Sequence, residues 1–151
     1  MLEVGEKAPH FKVIDHLGNT HTLDQYKGQK LIIFFYPKAS SPSCALEVQN
    51  LKEGFKNLRE KGFKLLGVSL DSVRLQRKFA LTHELPFPLL ADVEKQLVSG
   101  FGVYGLKKFM GKEYLGIRRR TFLIDEQGVV THRIDKVKTK DHANQILSLF
   151  K

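Results

Sequence analysis

The segment from Lys30 to Tyr36 constrains this chain most, because six of its seven residues are apolar or aromatic and the run stops abruptly at Pro37. A run of that length without alternation suits a central strand covered on both faces. Proline lacks the N–H that would continue a ladder, so the strand ends there. Four residues on, Ser41-Pro42 has the form of a helix N-cap followed by a first-turn proline. Leu46, Val48, Leu51, Phe55 and Leu58 then recur at helical spacing, which predicts one helix running to about Gly62.

The pattern repeats once. Phe63 to Leu70 reads as a second buried strand, and Asp71-Ser72 caps a helix reaching about Glu84. A strand–helix–strand–helix succession implies parallel pairing. Pro86 to Asp92 reads as a turn entering a short strand, with a short helix from Val93 to Ser99. Arg119 to Asp125 and Val129 to Ile134 form an antiparallel hairpin through Glu126-Gln127-Gly128. Val13 to Leu23 reads as an earlier hairpin around Gly18-Asn19, and Asp141 caps a terminal helix. These elements predict an α/β fold, a thioredoxin-like mixed sheet flanked by helices with an N-terminal β-hairpin extension. At 151 residues, residues 1–151 are read as a single domain.

Cys44 is the only cysteine. An intrachain disulfide and a cysteine-rich metal site are therefore excluded, and an unpaired thiol fits a reducing compartment. Its place after Ser41-Pro42 puts it in a helix's first turn, where free backbone N–H groups favour an anion. A thiol reacts as its thiolate, so a nucleophilic cysteine needs such help. The Arg118-Arg119-Arg120 run supplies candidate cations. In a strand Arg119 points opposite to its two neighbours, so one face serves the site while the other is solvated. Pro37 is placed to shape and dry the pocket, and Ser41 to cap the helix or bond a polar substrate.

At these residues the chain resembles a known family. Pro37-x-x-x-Ser41-x-x-Cys44 is similar to the peroxiredoxin signature Pro-x-x-x-Thr/Ser-x-x-Cys. Phe35-Tyr36-Pro37-Lys38 and Glu47 resemble its bacterioferritin comigratory protein, or peroxiredoxin Q, subgroup. The likeness extends through Val4-Gly5-Glu6-Lys7-Ala8-Pro9, Leu85 to Leu90, Gly111 to Arg119 and Thr121 to Asp125. It implies a peroxidatic Cys44 in a pocket completed by Pro37, Ser41 and Arg119, a peroxide substrate, no cofactor or metal, and a monomer. The chain departs from the subgroup at Gln49 and Ala80, two places where a resolving cysteine is carried, and at Ser43, where glycine is usual. The resemblance then implies a one-cysteine cycle with an external reductant, either thioredoxin, glutaredoxin with glutathione, or another small thiol.

Other readings remain open at this level. Ser41-x-x-Cys44 also has the form of a thiol–disulfide exchange motif with its first thiol replaced. The net charge of +9 would suit a basic module binding nucleic acid, but the cations are spread along the chain and no binding motif accompanies them. Gly100-x-Gly102-x-x-Gly105 matches a dinucleotide fingerprint in letters only, since it follows a helical stretch rather than a strand. The six histidines show no ligand spacing and are expected at surface or capping positions. Glu47 either complements the helix dipole or, near the thiol, positions an arginine or moves a proton. Phe35, Tyr36 and Phe109 are candidates to line a pocket for organic hydroperoxides. Without an export signal or a long apolar stretch, the chain is expected in the cytoplasm and off the membrane.

Overall fold

The computed structural model describes residues 1–150. Its centre is a five-stranded mixed sheet. Strand β3 (Lys30–Phe35) lies in the middle, parallel to β4 (Phe63–Ser69) and antiparallel to β8 (Arg120–Ile124). Beyond them lie β5 (Leu89–Ala91), parallel to β4, and β9 (Val130–Ile134), antiparallel to β8. The order β5-β4-β3-β8-β9 is the thioredoxin-like arrangement expected from the sequence. The expected N-terminal hairpin is present as β1 (Lys12–Ile14) and β2 (Thr20–Thr22).

Period-two alternation within β3 divides the core. Ile32 and Phe34, with Tyr36 just beyond, face a cluster that includes Cys44, Val48 and Leu51 of α1 (Pro42–Glu53), Phe79 and Ala80 of α3 (Val73–Thr82), and Ile146 of α5 (His142–Leu147). Leu31, Ile33 and Phe35 face Phe101, Phe122 and the apolar side of α4 (Gln96–Gly100). Both faces are covered, which is why the run shows no polar alternation.

Three expectations are corrected. The helix after Cys44 is broken at Gly54, and α2 (Phe55–Glu60) follows it. A Cβ at Gly54 would overlap the Cβ of Ala143, so glycine there lets α5 pack against the break. Residues 104–117 form a hairpin, β6 (Tyr104–Phe109) and β7 (Lys112–Ile117), that the sequence pattern did not announce. Its turn residues Met110 and Gly111 both have positive φ, the geometry of a tight two-residue hairpin turn. The glycine-rich stretch leads from α4 into β6, without the strand–turn–helix a pyrophosphate needs.

The third correction concerns the histidines, because His16 and His142 are buried. His16 Nδ1 accepts the Leu89 N–H, while His142 packs beneath the first helix.

Candidate active site

The end of β3 and the start of α1 are joined by a loop held at several points. Ala39 N–H donates to Asp71 Oδ2 at 2.7 Å, and Ser69 Oγ donates to the same oxygen at 2.6 Å. Ser40 sits at φ +100°, a strained conformation for a residue with a Cβ. Tyr36 Oη donates to Gln76 Oε1 at 2.5 Å, and Gln76 Nε2 donates to the Leu90 carbonyl at 2.8 Å. Burial pushes the Tyr36 phenol well above its ordinary value, so it stays a neutral donor. Pro37 lies half-buried at the bend that ends β3.

Ser41 caps α1 as expected, its Oγ accepting the Cys44 N–H at 3.3 Å. With Pro42 at the first helical position, Cys44 is the third residue of the helix and lies inside its first turn. The thiol is fully buried.

Arg119 is the cation that reaches the sulfur. Its Nη2 lies 3.4 Å from Cys44 Sγ and donates to Ser43 Oγ at 2.9 Å, while its Nη1 donates to Glu47 Oε1 at 2.5 Å. One guanidinium therefore ties three positions of the first helical turns. The reason differs from the expected strand alternation, since β8 begins only at Arg120 and Arg119 lies just before it. Arg118 reaches back to the Leu106 carbonyl, and Arg120 to the Asp135 carbonyl at the end of β9. The three arginines part in three directions.

Several participants escaped the sequence reading. Ser43 gives Arg119 a hydroxyl that the usual glycine lacks. Lys107 on β6 lies within the field of both Arg119 and Cys44; burial lowers its pKa, Arg119 lowers it further, and Cys44 opposes. Glu47, foreseen as a possible arginine partner, is fully buried and holds Arg119 through one oxygen. Its other oxygen, Oε2, makes no hydrogen bond and lies 3.8 Å from His142 Nε2. Burial pushes Glu47 up to about 7 although Arg119 pulls the other way. Of the proposed pocket aromatics, Phe35 and Tyr36 are core residues, and Phe109 is 66% exposed on the β6–β7 hairpin. Gln49, at one of the positions for a second thiol, bonds His83 Nδ1 at 3.0 Å, and Ala80, at the other, is buried.

The arrangement sets the Cys44 sulfur against a helix N-terminus, a fixed guanidinium and a hydroxyl-bearing loop, surroundings that favour a thiolate, with no second thiol in the chain. A family model described as the AhpC/TSA family matches residues 4–133. Peroxiredoxin Bcp of Bacillus subtilis is 41% identical over 150 residues, covering 99% of this chain and 96% of its own. Among solved structures, the bacterioferritin comigratory protein of Xanthomonas campestris, studied for its alkyl peroxide reduction activity, superposes with a TM-score of 0.86 at 34% identity, over 92% of this chain and 88% of that one. A cysteine-to-serine mutant of PrxQ from Xylella fastidiosa superposes with a TM-score of 0.93 at 27% identity, over 99% and 96% of the two chains.

Proposed function

We propose, from the premise that this chain belongs to the AhpC/TSA family and is a peroxiredoxin of the Bcp type, a thiol-dependent peroxidase cycle carried by Cys44. The Cys44 thiolate attacks one peroxide oxygen. An S–O bond forms as the O–O bond breaks, sulfur is oxidised by two electrons, and the departing hydroxide or alkoxide takes a proton to leave as water or alcohol. Arg119, with Ser41 and the N–H groups of the first turn, stabilises the charge that develops on the departing oxygen. Pro37 closes the pocket edge. The sulfur is fully covered, so a peroxide enters only with local movement of the residues over it.

The second half-cycle needs two thiols from outside. The first condenses with the Cys44 sulfenic acid, forming a mixed disulfide and releasing water. The second attacks that disulfide and restores the Cys44 thiolate. Thioredoxin, or glutaredoxin with glutathione, fits this requirement, as does a cytoplasmic location where such thiols are kept reduced. Without them the sulfenic acid is open to further oxidation. The protein acts as a monomer. Among residues 1–150 no helix is long and apolar enough to cross a membrane.

The observation that carries the reading is the Arg119 guanidinium within 3.4 Å of Sγ while anchored on Ser43 and Glu47. Peroxide consumption is measured with each thiol reductant supplied separately, alongside mass spectrometry of Cys44. Turnover with at least one reductant, absent in Cys44→Ser, is expected. Insulin-disulfide reduction without peroxide consumption would instead mark a disulfide exchanger.

A further inference from the structure

The peroxide site rests on a buried polar pair that extends away from the sulfur. His142 Nδ1 lies 2.9 Å from Gln145 Oε1, and Gln145 is oriented by its own bonds: Nε2 donates to the Lys136 carbonyl and Oε1 accepts the Lys138 N–H. An amide oxygen only accepts, so His142 Nδ1 carries the ring proton. Its Nε2 is then a lone pair in the neutral ring, and Thr121 Oγ1, 2.8 Å away, donates to it. The other group facing Nε2 is Glu47 Oε2, at 3.8 Å, the buried oxygen with no hydrogen-bond partner. At that distance no hydrogen bond joins them, and the proton-free, electron-rich edge of the imidazole disfavours a negative charge on the facing carboxyl in a dry site.

We propose that His142 is a positioning residue for the peroxide reaction: its proton-free Nε2, facing Glu47 Oε2, favours a protonated Glu47, and whether that proton is present sets how strongly Glu47 holds Arg119 against the pull of the Cys44 sulfur. With the proton present Glu47 is neutral, and the full charge of Arg119 faces the sulfur. With the proton gone the carboxylate competes for that charge.

Burial fixes where the proton stays. It drives Glu47 up to about 7 against the pull of Arg119, and drives His142 down to about 4, so the proton resides on the carboxyl below neutrality. The other charged or titratable groups around the pair are Arg119 ahead of β8, Cys44 one turn earlier on α1, and Lys107 on β6, which faces Arg119 and Cys44. Gln145 fixes the imidazole from its own helix and adds no charge.

The inference rests on the peroxidase reading, and two isosteric variants test it in single-turnover oxidation of Cys44 by hydrogen peroxide, with no reductant present. Glu47→Gln keeps an oxygen for Arg119 and is uncharged at every pH, imitating the protonated carboxyl. His142→Gln supplies a fixed donor to Glu47 Oε2, imitating the ionised pair. Relative to the parent, both variants' rates are expected to rise between pH about 6 and about 8, Glu47→Gln from parity to above it and His142→Gln from below it to parity, each on the order of tenfold, as a unit charge this near the sulfur requires. Rate–pH profiles of both variants that run parallel to the parent would overturn the proposal, since a purely structural role lowers all rates together.

Infrared titration of the parent reads the same proton without any variant. A carboxylic C=O band attributable to Glu47 is expected to persist to near neutral pH, and its absence overturns the proposal. Failure of the parent itself to react with peroxide would instead dismiss the peroxidase reading.

Discussion

Two buried carboxylate–imidazole contacts in this protein have opposite characters. Asp15, at the mouth of the β1–β2 hairpin, meets His21 Nε2 at 2.7 Å through Oδ2, while Oδ1 accepts the Leu17 and Asn19 N–H groups at 2.8 and 2.9 Å. His21 Nδ1 in turn reaches Tyr26 Oη at 2.7 Å. Burial pushes the Asp15 carboxyl up, but the His21 and backbone bonds outweigh it and hold the group below its usual range. Glu47 has Arg119 on one oxygen and an unanswered lone pair on the other, and burial prevails. Burial alone does not decide a carboxyl's charge; the number of donors aimed at it does. The closed contact pins a hairpin, whereas the open one lies behind the Cys44 thiol.

The sharpest way to break this contrast is to remove the cation that connects the open contact to the sulfur. Arg119→Met is expected to slow single-turnover oxidation of Cys44 by about 10²–10³-fold, as loss of one charge-stabilising donor does elsewhere. Stopped-flow measurement on a folded variant checks it. The closed contact answers in stability. Asp15→Ala is expected to cost about 3 kcal/mol in urea denaturation, because it strands a buried imidazole, while the Cys44 oxidation rate stays at the parent value. That cost is present in full above the ordinary Asp15 value of 3.8 and is lost as the pH falls from there through the lowered folded value, because the unfolded state takes up the proton first and below the folded value both states carry it.

The open contact has a distinct linkage signature. Glu47, raised from 4.5 to about 7, makes the folded state bind more protons in that interval, so its contribution to stability falls as pH rises. His142, lowered from 6.5 to about 4, makes the unfolded state bind more, so its contribution rises with pH. The two nearly cancel between about 4.5 and 6.5. Glu47→Gln removes one side, and its stability relative to the parent is expected to climb from pH 4.5 to 7. Urea midpoints across that range that stay parallel for the two proteins would count against an open proton site. The smallest effect is expected at the cap: Ser41→Ala removes the acceptor of the Cys44 N–H and costs about 1 kcal/mol by denaturant titration.

Legibility in the sequence followed the locality of each signal. The β3 run, the Ser41-Pro42 helix start, β4 and the β8–β9 hairpin were readable because each is announced by its own residues and caps. The break at Gly54 was not, because its cause is Ala143, far along the chain. The β6–β7 hairpin was missed because Leu106, Phe109, Tyr114 and Leu115 are all exposed, leaving no buried face to impose alternation, and its turn is Met-Gly. Cys44 and Ser41 were legible from local helix-start chemistry, while the resemblance was needed to single out Arg119 among three neighbouring arginines. His142 was read as a surface or capping residue because nothing near it in sequence reports that Glu47 and Thr121 lie against its ring. A polar residue's burial is set by long-range packing, which single-sequence periodicity does not carry.

The central claim is that Cys44 is the peroxide-reducing group, and single-turnover stoichiometry tests it most directly. Reduced protein is mixed with one equivalent of hydrogen peroxide without a thiol, and the peroxide lost and the oxygen gained at Cys44 are measured together. Consumption of one peroxide per chain is predicted, with sulfenic acid at Cys44 and reversal on addition of thiol. Peroxide consumption that persists unchanged in Cys44→Ser would contradict the account.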